Sequence, residues 1–104
     1  MSEQSQLGPS TDGSIVLDIG GDIGALIILT PPDLAGAEIE VSADAPDSPR
    51  THVAVRERRG PTGIRYAAIY PALPTGSYTI WHSLADASQP VAIVGGQITQ
   101  LDWR

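Results

Sequence analysis

Four of the six arginines in this 104-residue chain fall within one ten-residue stretch: Arg56, Arg58, Arg59 and Arg65. A guanidinium is a planar fork of donors that closes on a carboxylate or phosphate at two points, so the cluster is the natural recognition surface of the sequence. Its alternative employment is internal ion pairing with Glu38 and Glu40. Lysine is absent, which removes Schiff-base chemistry and lysine-dependent phosphate loops. The other groups with acid, base or ligand chemistry are His52, His82, Tyr66, Tyr70 and Tyr78. Trp81 and Trp103 offer flat surfaces for stacking on a ligand or partner, or for closing the end of a core. The expected ligand- or partner-binding set is Arg56, Arg58, Arg59, Arg65, Trp81 and His82, with no catalytic residue, no metal and no cofactor.

Several chemistries lack the spacing they require. With no cysteine there is no disulfide framework, thiolate nucleophile or cysteine-ligated metal. The cluster Asp18-Ile19-Gly20-Gly21-Asp22-Ile23-Gly24 is rich in glycine, but a phosphate cradle stands between a strand and a helix. Here a strand follows, so a tight hairpin is expected. Asp18 and Asp22 also miss the rhythm of a calcium loop, and no Gly-x-Ser-x-Gly elbow is present.

Period-two alternation dominates the elements that must position these groups. Residues 1–13 are polar and read as a disordered tail, with the folded domain spanning 14–104. Ile15, Leu17 and Ile19 alternate with Asp18 in a first expected strand. Ile23 to Thr30 is apolar on both faces, as in a central strand or one covered by a partner, and Pro31-Pro32 ends it. Ile39 and Val41 face inward with Glu38 and Glu40 outward. Thr51 to Arg58 reads as one strand with Val53 and Val55 on the core side. Strands over 64–70, 77–82, 91–94 and 97–103 complete the set, with breaks at Pro71 and Pro74 and a positive φ expected at Gly76. Pro32 to Glu38 could make one short helical turn. The expectation is an all-β, seven- to eight-stranded antiparallel β-sandwich.

Net charge is -6, distributed unevenly: nine acids and no base lie in residues 1–49, and all six arginines face three acids in 50–104. An acidic total argues against general nucleic-acid binding, which needs clustered cations. The N-terminus lacks the basic and apolar regions of a secretory signal, and the longest apolar run is too short to span a bilayer. A cytoplasmic protein that engages a protein partner, with neither nucleic acid nor membrane, is therefore expected, and a homodimer through a sheet face or edge is compatible with the strand pattern.

The run Tyr66-to-Trp81, YAAIYPALPTGSYTIW, followed by VAIVGGQITQLDW, resembles the closing half of a transthyretin-like β-sandwich, the group that includes carboxypeptidase regulatory-like and collagen-adhesin B-type modules. The resemblance covers about residues 14–103 and implies a scaffold or binding module. Transthyretin-like hydrolases of the purine pathway place histidines and an arginine at a subunit interface, which would map onto His52, Arg56 and His82, but their Tyr-Arg-Gly-Ser ending is replaced here by Leu101-Asp102-Trp103-Arg104. Intradiol dioxygenases share the residue types His and Tyr without the close His-x-His pair appearing in this chain. The segments DIGGD-hydrophobic-GAL and TPP-x-L-x-G-x-EIEVS are also similar to small bacterial proteins, some called phospholipases, whose catalytic motifs find no counterpart here. The reading that follows is a non-catalytic binding or accessory module, with a small hydrolase bearing a His/Arg site at a subunit interface as the alternative.

Overall fold

A computed structural model describes residues 17–82 and 87–104, apart from the side chains of His82 and Ala87. The expected tail, 1–13, and the start of the first expected strand lie outside the described residues. Eight strands follow in chain order: β1 (Ile23–Thr30), β2 (Glu38–Ala43), β3 (Arg50–Ala54), β4 (Arg56–Gly60), β5 (Gly63–Pro74), β6 (Gly76–His82), β7 (Ala87–Ile93) and β8 (Ile98–Asp102). They form two four-stranded sheets, ordered β4-β5-β1-β8 and β3-β2-β6-β7. The expected all-β sandwich is therefore what the chain adopts. One pairing departs from the antiparallel expectation, because β8 runs parallel to β1.

The core lies between the sheets, where alternate residues of both inner faces meet. Leu26, Ile28, Ala68 and Tyr70 from the first sheet pack with Ile39, Val41, Ile80 and Ile93 from the second. Inward Ile39 and Val41 leave Glu38 and Glu40 on the wet side, as their alternation requires. β1 is central, hydrogen-bonded to β5 on one side and β8 on the other, and it buries Leu26 and Ile28 on its inner face and Ala25 and Leu29 on the alternate one.

Two corrections to the strand reading matter for the site. Thr51 to Arg58 is not one strand of one sheet: the chain leaves β3 at Ala54, buries Val55, and enters β4 in the opposite sheet. Continuous alternation conceals such a switch, because a bend at one buried residue leaves the period unchanged. The break expected at Pro71 is also absent, since β5 continues to Pro74. The register with β1 shifts between Gly24 and Leu26, so a β-bulge absorbs the proline inside the strand.

Leu17 to Ile19 form no strand; Asp18 N–H donates to the Pro71 carbonyl at 3.2 Å, and Gly20 pairs with Ile23 through two 2.9 Å hydrogen bonds. The glycine cluster is thus the tight hairpin its context implied, with Gly21 at φ +56°. Pro32–Leu34 makes the short helical turn expected between the sheets.

Candidate functional site

β5 is longer than the strand beside it, and the difference builds the site. Tyr66 is the last β5 residue paired with β1, opposite Thr30. Beyond it only Arg58↔Arg65, Arg59↔Ile64 and Gly60↔Gly63 remain as pairs, so the β4–β5 hairpin projects past the four-stranded sheet as a two-stranded ribbon. Pro61-Thr62 turns it. Proline holds φ near -65° and so cannot enter a primed hairpin turn, and Gly63, at φ +125°, takes up the backbone path that a side chain would resist.

Strand alternation sorts the ribbon side chains onto two faces. Arg58 lies directly opposite Arg65, with Arg56 two residues along on the same face. The other face carries Glu57, Arg59 and Ile64, and there Arg59 Nε donates to Glu57 Oε2 at 3.1 Å. Ile64 is 54% exposed, the most open of the large apolar side chains described. Arg58 is half-buried; its Nη2 lies 3.5 Å from the Ala67 carbonyl oxygen, and burial, aided by the charge of Arg56, lowers its pKa. Arg56 and Arg65 make no side-chain hydrogen bond or ion pair among the described residues. Around the turn, Arg58, Arg59 and Arg65 border an open depression of about 310 Å³ together with Gly60, Pro61, Thr62 and Gly63.

The alternative role expected for these arginines does not hold among the described residues. Glu40 is taken by Arg50, whose Nη1 donates to Oε1 at 3.0 Å on the outer face of the other sheet. Arg50 also lies 3.8 Å above the Trp81 ring centroid, and Trp81 Nε1 donates to Ser42 Oγ at 3.0 Å. Thr79 Oγ1 donates to Asp44 Oδ1 at 2.6 Å beside them. Trp81 is therefore held in a compensated polar patch on the second sheet, apart from the arginine ribbon of the first. Trp81 therefore does not converge with the four arginines. The side chain of His82 lies outside the described residues.

His52 sits opposite Glu40 on the outer face of the second sheet, whereas Arg56 belongs to the first sheet and stands opposite Ala67. Within one chain these two groups point away from each other. Among the described residues no three His, Cys, Asp or Glu side chains gather to hold a metal ion. No described helix is long and apolar enough to cross a membrane.

The tyrosines serve the frame. Tyr70 is buried, and its hydroxyl donates to the Ile39 carbonyl at 2.6 Å, with the Thr51 carbonyl 3.1 Å away. Desolvation pushes its pKa up to about 12. Tyr78 donates to the Pro74 carbonyl at 2.6 Å across the turn that contains Gly76. Gly76 has φ +155°, positive as expected. Trp103 packs against the core and donates from Nε1 to Gln89 Oε1 at 3.1 Å.

No family model, curated protein or solved structure matches the chain. Sequence reasoning located the arginines but missed Ile64, whose exposure follows from the pairing offset at Tyr66, and Arg50, whose partner is set by the β2–β3 register. The sequence carried no signal for the offset, because the strand read over 64–70 is no longer than Ile23 to Thr30, and the pairing of β5 with β1 decides where the ribbon begins.

Proposed function

We propose that this protein is a non-catalytic β-sandwich module that engages a protein partner through the β4–β5 ribbon. One observation carries the reading: a two-stranded extension, outside the four-stranded sheet, carries Arg65, which has no side-chain hydrogen bond or ion pair among the described residues, next to Ile64, which is 54% exposed. An isolated two-stranded ribbon is marginal in water, so a chain gains nothing in packing by extending one. Contact with a partner supplies what solvent does not, through burial of Ile64 and pairing of the guanidinium forks. The transthyretin-like relationship suggested by Leu73-Pro74-Thr75-Gly76-Ser77-Tyr78-Thr79 is part of the same proposal, since modules of that kind commonly present loops from a rigid sandwich.

Glu57 and Tyr66 are register partners, which makes a clean test available. Replacing residues 58–65 by Asn-Gly should close the hairpin at that pair and leave the four-stranded sheet intact. With a photocrosslinking side chain at position 64 of the full chain, a discrete adduct with one protein from the native cell is expected. A probe at Thr79, on the outer face of the other sheet, should not form it, and the shortened variant should not compete for it. An adduct formed equally from both positions, or full competition by the shortened variant, would show that the ribbon is not the docking element.

A further inference from the structure

The register of the ribbon sets like charges against each other. Directly opposed side chains on an antiparallel pair stand about 5 Å apart at Cβ, and like charges there are destabilising. Arg58 and Arg65 occupy such a position, with Arg56 next on the same face. The acid in the hairpin, Glu57, lies on the opposite face and is already bonded to Arg59 at 3.1 Å. The arginines on the other sheet and at the C-terminus show what compensation looks like here: Arg50 closes on Glu40 at 3.0 Å and Arg104 on Asp102 at 2.9 Å. Arg56 and Arg65 alone among the described arginines have no such contact.

We propose that Arg56 and Arg65, on one face of the hairpin, bind oxyanions, phosphate or carboxylate, carried on an acidic segment of the partner protein. The inference rests on the ribbon being the docking element, and it adds the chemistry that the ribbon selects. A guanidinium fork donates to two oxygens of one group, and adjacent forks bridging a shared anion convert mutual repulsion into attraction. Burial, and after it the charge of Arg56 on the same face, lowers the pKa of Arg58. A protein segment fits better than a nucleic acid. The cations are few, the chain as a whole carries net charge -6, and Ile64 gives an apolar contact that a side chain of a peptide can cover and a phosphate backbone cannot.

The probes are four peptides of about twelve residues that share one leucine and differ in charge, read on the full chain at low and at higher salt, where screening of exposed charge differs. One is acidic with a phosphoserine, one has aspartate in its place, one has serine, and one has every acid changed to its amide. The Nε–Hε signals of Arg56 and Arg65 should shift with the acidic peptides and not with the amide form. The phosphoserine and aspartate arms distinguish phosphate from carboxylate as the preferred group. Affinity should fall roughly tenfold in the double variant R56Q/R65Q, whose thermal midpoint should not drop. Arg50→Gln, on the other sheet, should leave affinity unchanged.

The proposal is overturned by equal binding of the amide peptide, by unchanged affinity in R56Q/R65Q, or by a single-stranded oligonucleotide of equal charge binding as tightly. It is also overturned if neutralising Glu3 and Asp12 moves the same arginine signals and strengthens peptide binding, which would make the chain's own N-terminal acids the occupant. A specific adduct from position 64 that persists in R56Q/R65Q would retain the docking ribbon and remove the oxyanion chemistry.

Discussion

Two outer faces of the same sandwich carry arginine, and they treat it in opposite ways. On the second sheet, Arg50 is held by Glu40 and the Trp81 ring, Trp81 by Ser42, and Thr79 by Asp44, so each polar group leans on a neighbour. On the first, Arg58 faces Arg65, and neither Arg56 nor Arg65 has an acid beside it among the described residues. The number of arginines does not separate the two faces. What separates them is which partners the register supplies inside the fold.

Measurements can break this contrast or sharpen it, beginning with the frame that both faces share. A Cβ on Gly95 would collide with the Gly21 carbonyl oxygen and come within 2.8 Å of the Asp22 Cα, both backbone atoms with little room to yield. Gly95→Ala should therefore cost about 3 kcal/mol in denaturant unfolding, and the two faces should fail in a single transition. Separate transitions for Trp81 fluorescence and the amide signals of β1, central in the first sheet, would mean that the sheets are independently stable.

The next effect is on pH. Tyr70 has a folded pKa near 12, raised chiefly by burial, against about 10 when unfolded, so its contribution is fully present below pH 10. Between about pH 10 and 12 the unfolded state loses the proton first, and stability should fall by roughly 2 to 3 kcal/mol. Tyr70→Phe should flatten that limb of the curve, after its own loss of the bond to Ile39. A limb unchanged in Tyr70→Phe would assign the alkaline loss elsewhere.

The two faces then predict opposite signs for one kind of substitution. Arg50→Gln removes an exposed ion pair and a cation–π contact and should cost about 1 kcal/mol at low salt. Arg65→Gln relieves repulsion against Arg58 and should raise stability by a few tenths of a kcal/mol, a gain that shrinks as salt is added. Equal losses in both variants would erase the distinction between the faces.

The sandwich was legible because the pattern is local: Ile39 and Val41 alternate with Glu38 and Glu40, and glycines and prolines punctuate the chain. The arginine cluster was legible for the same reason. Pairing was not. Nothing in the neighbourhood of Val55 announces that the chain changes sheets there, and nothing near Glu40 says that Arg50, rather than a ribbon arginine, will reach it. Those facts depend on which strands become neighbours, and the two sheets divide the expected site set between them.

The pairing offset at Tyr66 has a further consequence for how the molecule breathes. Up to Tyr66, β5 is bonded on both sides and its side chains belong to the core; past it, the same strand has one neighbour and open solvent. Amide exchange should therefore step up sharply between Ala67 and Arg65 inside one continuous strand, because among the described residues opening the ribbon disturbs little beyond the half-buried Arg58 and its contact with the Ala67 carbonyl. The ribbon is thermodynamically detachable. Its length, charge and turn can be rewritten, or a foreign hairpin spliced in at Glu57 and Tyr66, while the sandwich beneath keeps its register.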